Sequence, residues 1–264
     1  MKKAVLVVSF GTSYHETRKK TIEPCENKIK EKFEGYDFYR AFTSNMIINK
    51  LRKRDNIIID NPIQALDTLY HDGYEEVIVQ SLHIICGEEY NKLKDTVESY
   101  KDKFDRISLG RPLLTYINDY RETVLAVKQD VDKMEIDEAI VFMGHGTEHE
   151  SHSAYPAIEY MFRDYGMNAF VGTVEGYPEI EQVIKNLKER DIKTVDLMPF
   201  MLVAGDHAIN DMASDEEDSW KTILENEGFK VKVHLKGLGE NLYIQGKFAN
   251  HALDCMRDLQ EVSI

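Results

Sequence analysis

The 264-residue sequence has only three cysteines, Cys25, Cys86 and Cys255. They are odd in number and widely spaced, so the chain carries neither a disulfide framework nor a CxxC metal site. That scarcity fits a reducing compartment, and a cytoplasmic protein is the expectation. No apolar run approaches the roughly 20 residues a membrane helix requires; even Val195 to Ala204 contains Asp196 and Pro199. Met-Lys-Lys followed by Ala4 to Phe10 mimics the start of a signal peptide, yet His15, Glu16 and Arg18 to Lys20 follow with no small-residue cleavage site. Ala4 to Phe10 therefore reads as a first buried strand. Basic charge is also scarce, with 33 Lys plus Arg against 47 Asp plus Glu and a net charge of −14. Phosphate backbones and anionic lipid are disfavoured, so no nucleic acid and no membrane is expected as a partner. There is no GxxxxGK[ST] loop, Gly237-Leu-Gly239 lacks the third glycine of a dinucleotide fingerprint, and no GxSxG elbow occurs. No ATP and no NAD dependence is expected.

What is present is an alternation of short β-branched runs with segments of helical period. Val5 to Ser9 runs into Gly11-Thr12-Ser13, a strand, a glycine turn and a helix start, and Ser13-x-x-Glu16 has the pattern of a capping box. Ile22, Cys25, Ile29 and Phe33 share a helical face, and Pro24 within it should kink the helix or shift its start. Strands are expected at 37–42, 76–85 and 107–109, with helices at 62–73, 88–104 and 119–131. A second series of strands follows at 139–143, 168–173, 195–203 and 230–235. Eight strands alternating with helices predict an α/β fold of parallel sheets covered on both faces.

The two series look like copies. Val77 to Glu89 can be laid on Val195 to His207 without a gap, which matches Gly87 with Gly205, Glu88 with Asp206 and Glu89 with His207. The first strand of each half ends in Gly-Thr, at Gly11-Thr12 and Gly146-Thr147, and this places Phe10 opposite His145. The expectation is two similar lobes, 1–130 and 131–264, with a cleft between them and a last helix (about 240–262) packing back on the first lobe. Ligands of open α/β sheets bind beyond the carboxyl ends of the strands, where Glu89, His145 and His207 all fall.

Gly144-His145-Gly146 sets an imidazole between two glycines at a strand end. His207 follows a strongly apolar strand, with Asp206 or Asp211 available to orient its second nitrogen. Each has a bland alternative: a turn histidine, a helix-start histidine satisfied by a carboxylate and, for Glu89, a favourable acid in a first helical turn. Together they form a two-histidine, one-carboxylate set that suits a divalent transition metal while leaving coordination positions open. His149 and His152 read as an exposed polar loop or as outer metal contacts, and His83 as a satisfied core histidine. Asp215 to Asp218 reads as a solvated helix start. Lys50-Leu-Arg52-Lys-Arg54 is the one basic cluster, either a solvated helix end or an attraction for an acidic small molecule.

Several segments carry a family resemblance: Val7 to Ser13, Arg40 to Ser44 with Met46 to Ile48, Gln80 to Ile85, Val141 to Gly146, and Leu197 through Asp215. Through them the chain resembles the anaerobic sirohydrochlorin cobaltochelatases, the CbiK family of class II chelatases. The resemblance implies two lobes related to the ferrochelatase fold. It also implies ATP-independent insertion of Co2+ into sirohydrochlorin, or precorrin-2, in anaerobic cobalamin biosynthesis. It implies metal binding by His145, His207 and Glu89, with His145 and Glu89 the catalytic candidates. Phe10, Gly11, Thr12, Ser13, Arg52 and Arg54 are the expected substrate contacts. Co2+ is substrate rather than cofactor, and the protein is expected to be a monomer or small homo-oligomer. The competing expectations are a sirohydrochlorin ferrochelatase or nickel chelatase, and a non-catalytic tetrapyrrole or metal carrier.

Overall fold

The computed structural model describes residues 1–131 and 134–261, with Asp130 and 258–261 as backbone only, so residues 262–264 of the expected second lobe lie outside the described residues. Two compact units form, Met1–Thr115 with Leu242–Ile264, and Tyr116–Asn241.

In the first unit β1 (Lys3–Ser9) is an almost unbroken apolar run buried from Ala4 onward, the signature of a strand covered on both faces. It pairs in parallel with β2 (Asp37–Phe42) and β3 (Glu76–Ser81), and β4 (Arg106–Gly110) closes the order β2-β1-β3-β4. The second unit repeats the plan. There β5 (Glu138–Gly146) lies between β6 (Ala169–Glu175) and β7 (Thr194–Pro199), and β8 (Lys230–Val233) forms the edge, in the order β6-β5-β7-β8. In each sheet the chain leaves the central strand toward one side and returns on the other. The topological switch point therefore lies at the carboxyl ends of β1 and β3, and of β5 and β7.

The helices follow local signals. Of the two outcomes expected at Pro24, a kink or a shifted start, the shifted start forms: α1 (His15–Lys20) and α2 (Ile22–Lys30) divide at Thr21. Pro24 stands in the first turn of α2, where its missing N–H has no intrahelical acceptor to lose. The expected capping box at Ser13 does not form: Tyr14 occupies the cap position without a side-chain cap, and the Tyr14 N–H donates to Thr12 Oγ1 at 3.2 Å. Helix α3 (Asn45–Asp55) is capped by Ser44, and α4 (Pro62–His71) by a reciprocal Asn61–Gln64 box. Helix α5 (Glu88–Glu98) is shorter than expected, a single 3-10 turn following it at Lys101–Lys103.

In the second unit α6 (Ile117–Asp130), α7 (Ala154–Asp164), α8 (Ile180–Glu189) and α9 (Trp220–Asn226) surround the sheet. Its core stacks Phe142 on Phe162 with centroids 5.0 Å apart and sets Phe142 edge-on to Phe200 at 5.7 Å. Helix α6 groups with this unit because it packs on α7 and because Asn241 Nδ2 donates to the Ala126 carbonyl at 2.9 Å. The final helix, α10 (Leu242–Glu261), groups with the first unit. Ile244, Phe248, Ala252 and Cys255 are buried along one face, packed on α2, β3 and β4, and Arg111 pairs with Asp254 at 2.8 Å.

Four strand ends differ from expectation in ways that shape the candidate site. β3 stops at Ser81 and β7 at Pro199, which leaves His83 beyond its strand. β5 and β6 run on to Gly146 and Glu175, and these two residues stand opposite each other in the ladder.

Candidate functional site

In the second unit the last residues of β5 present His145 at the switch point, flanked by glycines for a steric reason. A Cβ at Gly144 would meet the Tyr155 ring at 2.4 Å, and one at Gly146 (φ +81°) would lie 1.6 Å from the Glu175 carbonyl oxygen. The backbone is thus packed tightly on either side while the His145 side chain stays half-exposed.

Beyond β7 the chain passes through Gly205 into a helical turn and a π-helical turn at Ala208–Met212, which carries His207 to the same end of the sheet. The His145 and His207 rings lie edge to face, 4.9 Å between centroids at 90°. His145 Nδ1 is 3.0 Å from the Gly146 carbonyl oxygen, and His207 Nδ1 is 2.5 Å from Asp211 Oδ2. A carbonyl oxygen and an ionised carboxylate only accept, so each Nδ1 is assigned the hydrogen and each Nε2 keeps its lone pair. That is the arrangement in which histidine binds a metal, its other ring nitrogen fixed by an oxygen acceptor. Of the two acids weighed from sequence, Asp211 makes the contact.

A carboxylate that sequence reasoning missed, Glu175 at the end of β6, has Oε2 3.9 Å from His145 Nδ1. Its signal lay in the longer β6 strand, which the 168–173 boundary truncated. Among the described residues no group of three His, Cys, Asp or Glu side chains is gathered closely enough to hold a metal ion. The two imidazoles are what the fold brings together.

The first unit presents the matching features at its own switch point. Phe10, opposite His145 in the internal repeat, is 47% exposed, whereas Thr12 and Ser13 are buried. Gly11 has φ +95°, and a Cβ there would lie 2.5 Å from the Phe42 ring. Glu89, in the first turn of α5, bonds Lys92 Nζ at 2.9 Å. Burial raises its pKa, but the hydrogen bond and charge of Lys92, with the Thr43 and His83 side chains nearby, outweigh that, and the carboxyl is held below its ordinary value. His83 differs from the expected satisfied core histidine: Nδ1 lies 2.8 Å from Ser81 Oγ, while the buried Nε2 has no partner. Burial pushes its pKa down to about 4 against the opposing pull of Glu89, so the ring is neutral at pH 7.

The two arginines divide. Arg54 is engaged, with its guanidinium on both Asp55 oxygens at 2.7 and 2.8 Å and on the Ser13 carbonyl. Arg52 is exposed on the same helix. Asp215 pairs with Lys221 at 2.5 Å, and His149 bonds Ser151 at 3.0 Å, so these polar loops are locally satisfied.

Residues 3–257 match the profile of the family described as "Cobalt chelatase (CbiK)". The chain is similar to the sirohydrochlorin cobaltochelatase of Salmonella typhimurium, 48% identical over 251 residues and 95% of each chain. It is also similar to sirohydrochlorin cobaltochelatase CbiKC of Nitratidesulfovibrio vulgaris, 34% identical over 90% of this chain and 85% of the relative. Among solved structures, SirB from Bacillus subtilis with Fe3+ aligns with a TM-score of 0.63 at 14% identity, covering 99% of this chain and 98% of that one. CbiX, described as the terminal enzyme for biosynthesis of siroheme in denitrifying bacteria, aligns at 0.58 and 13% identity, covering 96% and 99%. These two similarities concern the fold alone.

Proposed function

Because the chain belongs to the CbiK cobalt chelatase family, we propose that it inserts Co2+ into sirohydrochlorin without ATP. The observation that carries the site assignment is the edge-to-face pair of His145 and His207, each with Nδ1 on an oxygen acceptor and Nε2 open.

The reaction exchanges one Co2+ for two pyrrole protons, so the protein must hold a partly dehydrated cation and accept protons. His145 and His207 supply neutral nitrogen donors, and Glu175 supplies a carboxylate within the same unit. No thiolate enters the set, and nitrogen and oxygen donors release a first-row divalent ion more readily than cysteine sulfur does. Such a set ranks divalent metals mainly by the Irving–Williams order, so metal supply takes part in the choice of Co2+ over Fe2+ or Ni2+.

We assign the proton-accepting role to His145 Nε2 and to Glu89. One nitrogen cannot hold the metal and accept a proton at once, so His145 becomes a base as the cation leaves it. Glu89 is a carboxylate at neutral pH and can receive a proton, although the Lys92 hydrogen bond and charge, which outweigh its burial, make it a weaker base than an ordinary glutamate. The substrate is a polycarboxylate and the protein carries a net charge of −14. Long-range repulsion is screened beyond about 8 to 10 Å, and local cations must dominate at contact. Arg52 is the candidate for that contact, because Arg54 already serves Asp55 and Ser13.

The test is an anaerobic absorbance time course of sirohydrochlorin with Co2+ and substoichiometric protein. Conversion of many equivalents per protein, faster than the protein-free control, is the expected result. A spectral change that stops at one equivalent identifies a carrier, and a rate equal to the control overturns the assignment.

A further inference from the structure

The ring of His152 lies between the turns that follow β5 and β6. Its Nδ1 accepts the Thr147 N–H at 3.3 Å, and its Nε2 bonds the Tyr177 carbonyl oxygen with the Tyr177 nitrogen 3.2 Å away. A neutral imidazole with the hydrogen on Nε2 satisfies one bond to each turn at the same time. Gly176 has φ +96°, and a Cβ there would lie 2.6 Å from His152 Cε1, so only glycine admits the ring.

The two linked turns are the ones that carry the metal-site candidates. His145 precedes Thr147 by two residues, and Glu175 precedes Tyr177 by two. The β5–β6 ladder ends where Gly146 faces Glu175. His145 lies between two glycines in the last rungs of that ladder, and past Gly146 the turn loses the stiffness the ladder supplies. Two cross-links from one short segment restore it. Tyr155 at the start of α7 accepts the Gly146 N–H through its hydroxyl at 3.2 Å, and His152, tilted against the Tyr155 ring with centroids 5.4 Å apart, joins the two turns.

We infer that His152 is a positioning residue that fixes the spacing between His145 and Glu175 without holding the metal. The inference rests on the site reading given above. His152 is only partly buried and lies ahead of α7, outside the core, so its removal leaves the β5–β6 ladder and the Phe142 core in place. Partners that orient metal ligands are worth about 10–100-fold in metal affinity or activity.

The experiment titrates Co2+ alone into wild type, His152→Ala, His152→Asn, His152→Gln and His145→Ala, reading the visible d–d absorbance and, separately, thermal unfolding. The Ala variant is expected to bind Co2+ about 10–100-fold more weakly, with an altered spectrum and a nearly unchanged Tm. Asn keeps an acceptor near the Nδ1 position and Gln a donor near Nε2, so each is expected to recover part of the affinity. Wild-type affinity and spectrum in His152→Ala, while His145→Ala loses Co2+, overturns the inference alone. Wild-type binding by His145→Ala overturns the site reading and the inference together. A loss of affinity in His152→Ala that only tracks a fall in Tm, with no recovery in Asn or Gln, assigns His152 to folding and also refutes the positioning role.

Discussion

The contact between Asp211 and His207 offers a graded test of how the metal site is tuned. Asp211 Oδ2 lies 2.5 Å from His207 Nδ1, with side chains 44% and 39% exposed. It holds the hydrogen on Nδ1 and the lone pair on Nε2, and its charge makes the imidazole a stronger donor to a cation. Charged hydrogen bonds contribute about 1.5–3 kcal/mol when shielded from water. At this exposure solvent screening reduces the figure to about 1 kcal/mol.

Asp211→Asn keeps an acceptor of the same shape and removes the charge. Losing about 1 kcal/mol corresponds to about fivefold weaker Co2+ binding. Asp211→Ala also frees the ring to rotate and change tautomer, and about 10–100-fold is expected. Neither change touches the core, so Tm should move little, within the roughly 0.5 kcal/mol typical of surface substitutions. The assay is Co2+ titration followed by d–d absorbance at fixed pH and ionic strength, with turnover measured in parallel. Equal affinities within twofold for wild type, Asn and Ala would refute the claim that Asp211 orients a metal-binding imidazole. A loss in Asn as large as in Ala would show that charge alone matters.

Arg52→Ala is expected to raise the sirohydrochlorin KM severalfold with little change in kcat, whereas Arg54→Ala leaves KM near wild type because its guanidinium already serves Asp55 and the Ser13 carbonyl; steady-state kinetics at fixed salt separates them. Lys92→Met removes the chief opponent of burial at Glu89, so the Glu89 pKa should rise, visible as an upward shift of its carboxyl titration in carbon-detected NMR; an unmoved titration would show that Lys92 is not the cause. His83 has a pKa near 4 in the fold and about 6.5 when unfolded. The unfolded chain therefore binds the extra proton between those values. Stability is fully present above pH 6.5 and falls as pH drops toward 4, by up to about 3 kcal/mol; chemical denaturation across that range should show the slope in wild type and a flatter one in His83→Gln. Phe142→Ala removes the ring stacked on Phe162 and edge-on to Phe200 and should cost about 3–5 kcal/mol of stability, measured by denaturant unfolding.

Much of the architecture was legible because it is written locally. The apolar run Ala4 to Val8 and the alternation of strand and helix periods specify buried parallel strands, and the gapless match of Val77–Glu89 with Val195–His207 anticipates the repeated strand order. His145 and His207 stood out for related reasons, His145 between two glycines at the end of an apolar strand and His207 two residues after Gly205 beyond another. What was hidden depends on contacts distant in sequence. Glu175 joins His145 only through the β5–β6 register, and His152 joins two turns that are 30 residues apart at Thr147 and Tyr177. The unit boundary at Thr115 rather than near residue 130 follows from α6 packing on α7. The break at Thr21 was partly legible: Pro24 predicts a kink or a shifted helix start, and the shifted start forms, with Pro24 in the first turn of α2.

The claim that the histidine pair hands its own metal to the tetrapyrrole is tested most directly by a chase. Protein preloaded with one equivalent of Co2+ is mixed anaerobically with sirohydrochlorin and excess chelator, and cobalt sirohydrochlorin is followed by absorbance. Product approaching one equivalent per wild-type protein, and essentially none from His145→Ala or His207→Ala, is the predicted result. Complete suppression by the chelator in a wild type that still turns over without it would mean that the metal enters from solution, and the account would be contradicted.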